Sequence, residues 1–194
     1  MRHIFVCTHL GSGASMLLDS LSANRRVAVV RHRSPYYQYD DPSKLEGVVT
    51  PVLTARPLAR TFLHKADYNQ TVSSPALYEA AGFLYVVREP AAALAHLMGR
   101  GYGEHGAVRY YTYRLRRLCE MARRTPAGLV VTFEAVATRR ADEAIKRFVG
   151  VKELPSTYRP AVPPVLSEAV TARPRAAYER YLTYLRQLPL SVVE

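Results

Sequence analysis

The stretch Ile4–Leu21 constrains this chain more than any other. A continuous apolar run, Ile4-Phe5-Val6-Cys7, stops at the small residues Gly11-Ser12-Gly13 and gives way to a segment with Met16, Leu17 and Leu21 spaced for one helical face. A strand apolar at every position is covered on both sides, as the central strands of parallel sheets are. The pattern predicts a strand over Arg2–Thr8 and a helix over Ala14–Leu21. A small-residue loop between them lets backbone N–H groups converge on an anion at the positive end of the helix. The hydroxyls of Ser12 and Ser15 are candidate further donors. The same segment also fits an ordinary strand-to-helix turn. No lysine follows the glycines, so the G-x-x-x-x-G-K-[ST] loop of nucleotide triphosphatases is absent, and the third glycine of a dinucleotide fingerprint is missing.

The rest of the chain alternates in the same way. Strands are predicted at Val27–Val30, Phe83–Val87 and Gly128–Thr132, with shorter extended segments at Val48–Leu53 and Thr61–Lys65. Helices are predicted at Ser74–Ala81, Pro90–Leu97, Ala107–Arg124, Arg140–Val149 and Glu168–Leu188, the last started or kinked by Pro174. The polar, Tyr-rich residues 31–47 read as a loop or lid, and Lys152–Pro164, with three prolines, as irregular. Alternating strands and helices argue for a three-layer α/β fold with a central parallel sheet covered by helices on both faces. At 194 residues a single domain is expected, ending in a helical tail at about 165–190.

Lys and Arg number 27 against 16 Asp and Glu, a formal net charge of +11. Such a surplus gathers anionic ligands without saying which. Only the charge points to nucleic acid, and no nucleic-acid-binding motif accompanies it, so that partner ranks last. Two cysteines, Cys7 and Cys119, make neither a disulfide framework nor a metal site, and no metal is expected. No apolar run approaches the roughly 20 residues of a membrane span. With no targeting segment in view, a cytoplasmic protein is expected.

A second motif is Val86-Val87-Arg88-Glu89-Pro90. Arginine at the end of a buried strand places a guanidinium at the carboxyl edge of the sheet, where open α/β sheets bind ligands. His96 follows two helical turns later. Together, Ser12-Gly13-Ala14-Ser15 and Arg88-Glu89-Pro90 resemble the nucleotide-binding signatures of the sulfotransferase family. That family uses 3′-phosphoadenosine 5′-phosphosulfate. Val130-Val131-Thr132-Phe133-Glu134, then a helix closing at Phe148-Val149-Gly150-Val151, is similar to the family's late strand and helix. The resemblance runs from Arg2 to about Val151.

This resemblance implies that residues His9 and Gly11 to Ser15 (Gly11, Ser12, Gly13, Ala14, Ser15) hold the 5′-phosphosulfate, and that Arg88 and His96 hold the 3′-phosphate. Leu10 and Gly11 stand where the family has Pro and a basic residue, and His96 stands in place of a serine. A cation at that loop position stabilises the leaving phosphate, and His9, His64 and Lys65 are the candidates to replace it. The implied reaction moves a sulfuryl group to a hydroxyl or amine of a carbohydrate, phenol or peptide, with a histidine as general base. His32, after the second strand, is the first candidate for that base and His64 the second. Two alternatives stay open: a protein that binds the nucleotide without turnover, and a divergent P-loop phosphotransferase.

Overall fold

The computed structural model describes residues 1–31, 34, 36–155 and 166–194. Its centre is β1 (Arg2–Thr8), in which Ile4, Phe5, Val6 and Cys7 have no exposed surface. Alternate side chains leave a strand on opposite faces, so such a run needs cover on both. On either side of β1 lie β4 (Thr61–Ala66) and β6 (Gly82–Val87). Beyond β4 lies β2 (Val27–Arg31), and beyond β6 come β7 (Gly128–Thr132) and β8 (Leu190–Val193). The order is β2-β4-β1-β6-β7-β8, with every pairing parallel. A separate two-residue pair joins β3 (Gln38–Tyr39) to β5 (Thr71–Val72).

Helices cover both faces, giving an α/β fold around a six-stranded parallel sheet. Phe5, Cys7, Tyr85 and Val87 share one apolar cluster with Leu94 and Leu97 of α4 (Pro90–Gly99). The same cluster takes Tyr111, Leu115 and Leu118 from α5 (Glu104–Ala122), and Leu182 and Leu185 from α8 (Glu168–Arg186). Ile4, Val6, Leu84 and Val131 face the other way, against α1 (Ala14–Ser22), α6 (Phe133–Ala137) and α7 (Asp142–Val149). Because all six strands are parallel, their carboxyl ends share one edge. The chain crosses over β1 between β4 and β6, which makes the loop after β1 the switch point where such sheets hold ligands.

Four expectations are corrected. Val48–Leu53 is not extended but lies inside α2 (Ser43–Ala55), despite Pro51. Leu45 and Val49 are buried four residues apart, and Val49 packs on Ala28, Val30 and Phe62, so tertiary contact overrides the strand preference of the valines. The loop expected over 31–47 is correspondingly shorter, since α2 begins at Ser43. The C-terminal helix stops at Arg186, and Leu190–Val193 adds the edge strand β8, which the sequence pattern does not signal. Pro174 sits within α8 rather than at its start. Among the described residues, no helix is long and apolar enough to cross a membrane.

Candidate functional site

At the carboxyl edge, the loop after β1 opens into a cleft of about 400 Å³. Gly11 and Gly13 both adopt left-handed backbone, φ +79° and +80°, and Gly13 precedes α1 without any side-chain cap. The N–H of Leu10 donates to the Tyr110 hydroxyl (3.2 Å), that of Ser12 to His9 O (3.2 Å) and that of Ala14 to Ser12 Oγ (3.2 Å). The N–H groups of Gly11, Gly13 and Ser15 find no partner among the described residues. These three donors lie at the positive end of a helix, an arrangement chemically suited to an anion.

The glycines are required by contact as well as by φ. A Cβ at Gly13 would lie 2.1 Å from the Phe133 ring, and one at Gly11 would lie 3.1 Å from Ala93 O and His96 Cβ. Phe133 also carries the Arg88 guanidinium, whose Cζ is 3.8 Å from the ring centroid. Gly13→Ala is therefore expected to cost about 2 kcal/mol, measured by urea unfolding, from backbone strain and displacement of Phe133. An unchanged unfolding midpoint would show that the loop accommodates a side chain.

The structure brings the two sequence motifs together. Arg88 Nη1 donates to Gly11 O (3.1 Å), and the Arg88 backbone N–H donates to His9 Nε2 (3.1 Å). Arg88 Nε is buried without a hydrogen-bond partner among the described residues. His9 is itself buried, and its Nδ1–H donates to Leu10 O (2.8 Å). An N–H donor at one ring nitrogen and a carbonyl acceptor at the other require the neutral imidazole. Burial, chiefly, pulls its pKa down to about 4. His9 thus ties β1 to β6 and is not a cation for the loop.

The other predicted residues divide. Ser12 lines the cleft but is largely buried, its hydroxyl bonded to Thr8 Oγ1 and accepting from Ala14 N–H, which shapes the loop. Ala14 packs into the core below it. Ser15 is exposed and accepts from Lys65 Nζ (3.1 Å). His96 lines the cleft, its pKa lowered by partial burial and by the charges of Arg100 and Arg88. His64 is fully buried in the sheet's aromatic face, stacked near His3 and Phe5 and hydrogen-bonded to His3 Nδ1 (3.0 Å), away from the cleft. His32 lies outside the described residues. Of the three candidates for the missing loop cation, His9 lies in the loop but is held neutral, His64 points away, and Lys65 reaches the loop from β4.

Four residues that sequence reasoning missed complete the site. Arg100 lines the cleft one helical turn beyond His96, a spacing visible in the sequence. Asp67 and Tyr68 line it from the segment after β4, Tyr68 with φ +50°. Beneath them Arg114, fully buried, donates from Nε to Thr8 O (2.8 Å), from Nη1 to Gln70 O (2.8 Å) and from Nη2 to Ala66 O (2.7 Å). Position 114 falls on the apolar stripe of Tyr111, Leu115 and Leu118, which is the signal of a buried cation. Glu134, which follows Phe133, is half-buried, and burial raises its carboxyl pKa. The arginines Arg109 and Arg116 on α5, and Arg123 just after it, are all solvent-exposed. Neither a family model nor a curated protein matches the chain.

Proposed function

We propose that the chain is a sulfotransferase. It would move a sulfuryl group from 3′-phosphoadenosine 5′-phosphosulfate to a hydroxyl, or an amine, of a carbohydrate, phenol or peptide acceptor. One observation carries this reading: Gly11, Gly13 and Ser15, whose N–H groups have no partner among the described residues, line a cleft that Lys65, Arg88, His96 and Arg100 also line. Among the described residues, four basic side chains and a single carboxylate line it, so the cleft suits a ligand with several negative charges. The buried, unpartnered Arg88 Nε supports a phosphate contact at that end.

In this reaction an acceptor oxygen bonds to sulfur as the bond from sulfur to the bridging phosphate oxygen breaks. The electron pair leaves with 3′-phosphoadenosine 5′-phosphate, and the acceptor's proton passes to a base, for which His32 is the sequence's candidate. Negative charge grows on the bridging oxygen. At Gly11 a basic side chain is unfavourable, given its φ and its contact with α4, and Lys65 supplies the cation from the neighbouring strand.

Calorimetry with 3′-phosphoadenosine 5′-phosphate tests the binding half. Wild type is expected to bind, and Arg88→Ala to weaken affinity roughly tenfold or more by removing a charge-assisted contact. Absence of binding at millimolar nucleotide would end the reading. Transfer of labelled sulfate to an acceptor panel tests the chemistry. Binding without transfer would favour a protein that holds this nucleotide without turnover, the reading that Gly11 supports.

A further inference from the structure

We propose that Asp67 is a positioning residue for anion binding: it holds the Lys65 ammonium against Ser15, delivering from β4 the cation that the loop lacks at Gly11. The inference deepens the reading above and rests on its anion-binding half. Lys65 Nζ lies 2.5 Å from Asp67 Oδ2 and 3.1 Å from Ser15 Oγ. An ammonium has three N–H donors. Two are engaged, which fixes the direction of the third, and Lys65 lines the cleft. A free lysine has a four-carbon stem with costly rotamer freedom. One contact to an exposed serine would not hold it. The pair is largely withdrawn from solvent, with side chains 17% and 9% exposed, so the contact is only weakly screened.

Asp67 is in turn held by its own segment. Its carbonyl accepts from Gln70 N–H (2.9 Å), and Tyr68 between them takes a left-handed backbone that a tyrosine rarely adopts. Arg114 grips the carbonyls on either side, Ala66 O and Gln70 O. The strained turn and the buried guanidinium together fix the carboxylate at the cleft wall. It is the only carboxylate lining the cleft among the described residues, facing Lys65, Arg88, His96 and Arg100. A carboxylate repels an anionic ligand, so its place there is explained by what it does to Lys65.

Calorimetry at fixed ionic strength, with inorganic pyrophosphate and separately with 3′-phosphoadenosine 5′-phosphate, tests this. Lys65→Met is expected to weaken pyrophosphate binding about tenfold or more. Asp67→Ala is expected to weaken it severalfold, although it removes a negative charge, because the ammonium loses its anchor. Asp67→Asn keeps an acceptor oxygen of the same shape and is expected to return affinity to the wild-type level or above. In the Asp67→Ala background, Lys65→Met should add little. Asp67→Ala binding as tightly as wild type, or Lys65→Met without effect, would overturn the proposal. Asp67→Asn is nearly isosteric, so the comparison survives if the alanine variant unfolds: affinity well below wild type in Asn would then overturn it. The expected pattern with pyrophosphate, but no nucleotide binding, removes the nucleotide reading and leaves the positioning role standing. Nucleotide binding unmoved by all these variants does the reverse, and a wild type that binds neither probe overturns both.

Discussion

Replacing Arg114 with methionine is expected to cost about 3–5 kcal/mol of folding stability, the scale seen when one partner of a buried charged network is removed. The guanidinium is fully buried and satisfies three backbone carbonyls at once, on Thr8, Ala66 and Gln70. Methionine fills much of the volume but donates nothing, and each orphaned carbonyl costs on the order of 1–3 kcal/mol. Part of that loss is offset, because a desolvated charge is removed too; burial already lowers the Arg114 pKa. Lysine is expected to recover little, since a compact ammonium lacks the planar fork that spans these three oxygens. The same carbonyls belong to the ends of β1 and β4 and to the Asp67 segment, so nucleotide affinity should fall with stability. Urea unfolding of wild type, Arg114→Met and Arg114→Lys measures the effect. A loss under 1 kcal/mol in the methionine variant would mean that the carbonyls find other partners.

How much of this was legible depends on whether the deciding contact is local. The β1 strand, its loop and α1 were readable because an unbroken apolar run, two glycines and an amphipathic face follow one another directly. Arg88 was readable for the same reason: a strand ends, and proline opens the next helix. The bond that ties the Ser12 hydroxyl to Thr8 was not readable, because it depends on the path of Thr8, which is itself fixed by β6. Lys65 owes its role to register. The parallel pairing that sets Val6 beside Lys65 brings its ammonium to Ser15, fifty residues earlier in the chain. No pattern within β4 carries that information. His64, one residue earlier, leaves the strand on the opposite face and joins the aromatic core. A shift of one residue would exchange the two, which is why a choice between adjacent candidates could not be made from spacing alone.

The second large effect expected is a loss of stability on acidification, traceable to His9. Its folded-state pKa is about 4 against an ordinary value of 6.5. The group is depressed on folding, so between these two values the unfolded chain binds the proton more readily than the native state. Stability from this residue is therefore complete above about pH 6.5, falls as pH drops through the window, and levels off below pH 4. The full loss is on the order of 3 kcal/mol, since each tenfold difference in proton affinity is worth about 1.36 kcal/mol. Geometry gives the same sign independently. A proton at Nε2 would turn an acceptor into a donor facing the Arg88 N–H and separate the loop after β1 from the end of β6. Acid should therefore weaken anion binding in the same interval. Other groups also titrate there, His3 with a lowered pKa among them, so the test is a difference. Chemical unfolding from pH 7.5 to 4 is compared for wild type and His9→Gln, in which an amide offers both a donor and an acceptor without titrating. Wild type should lose about 3 kcal/mol more than the variant across the window, and an NMR titration should place His9 well below the exposed histidines. Parallel profiles for the two proteins would show that His9 takes up its proton without opening the site.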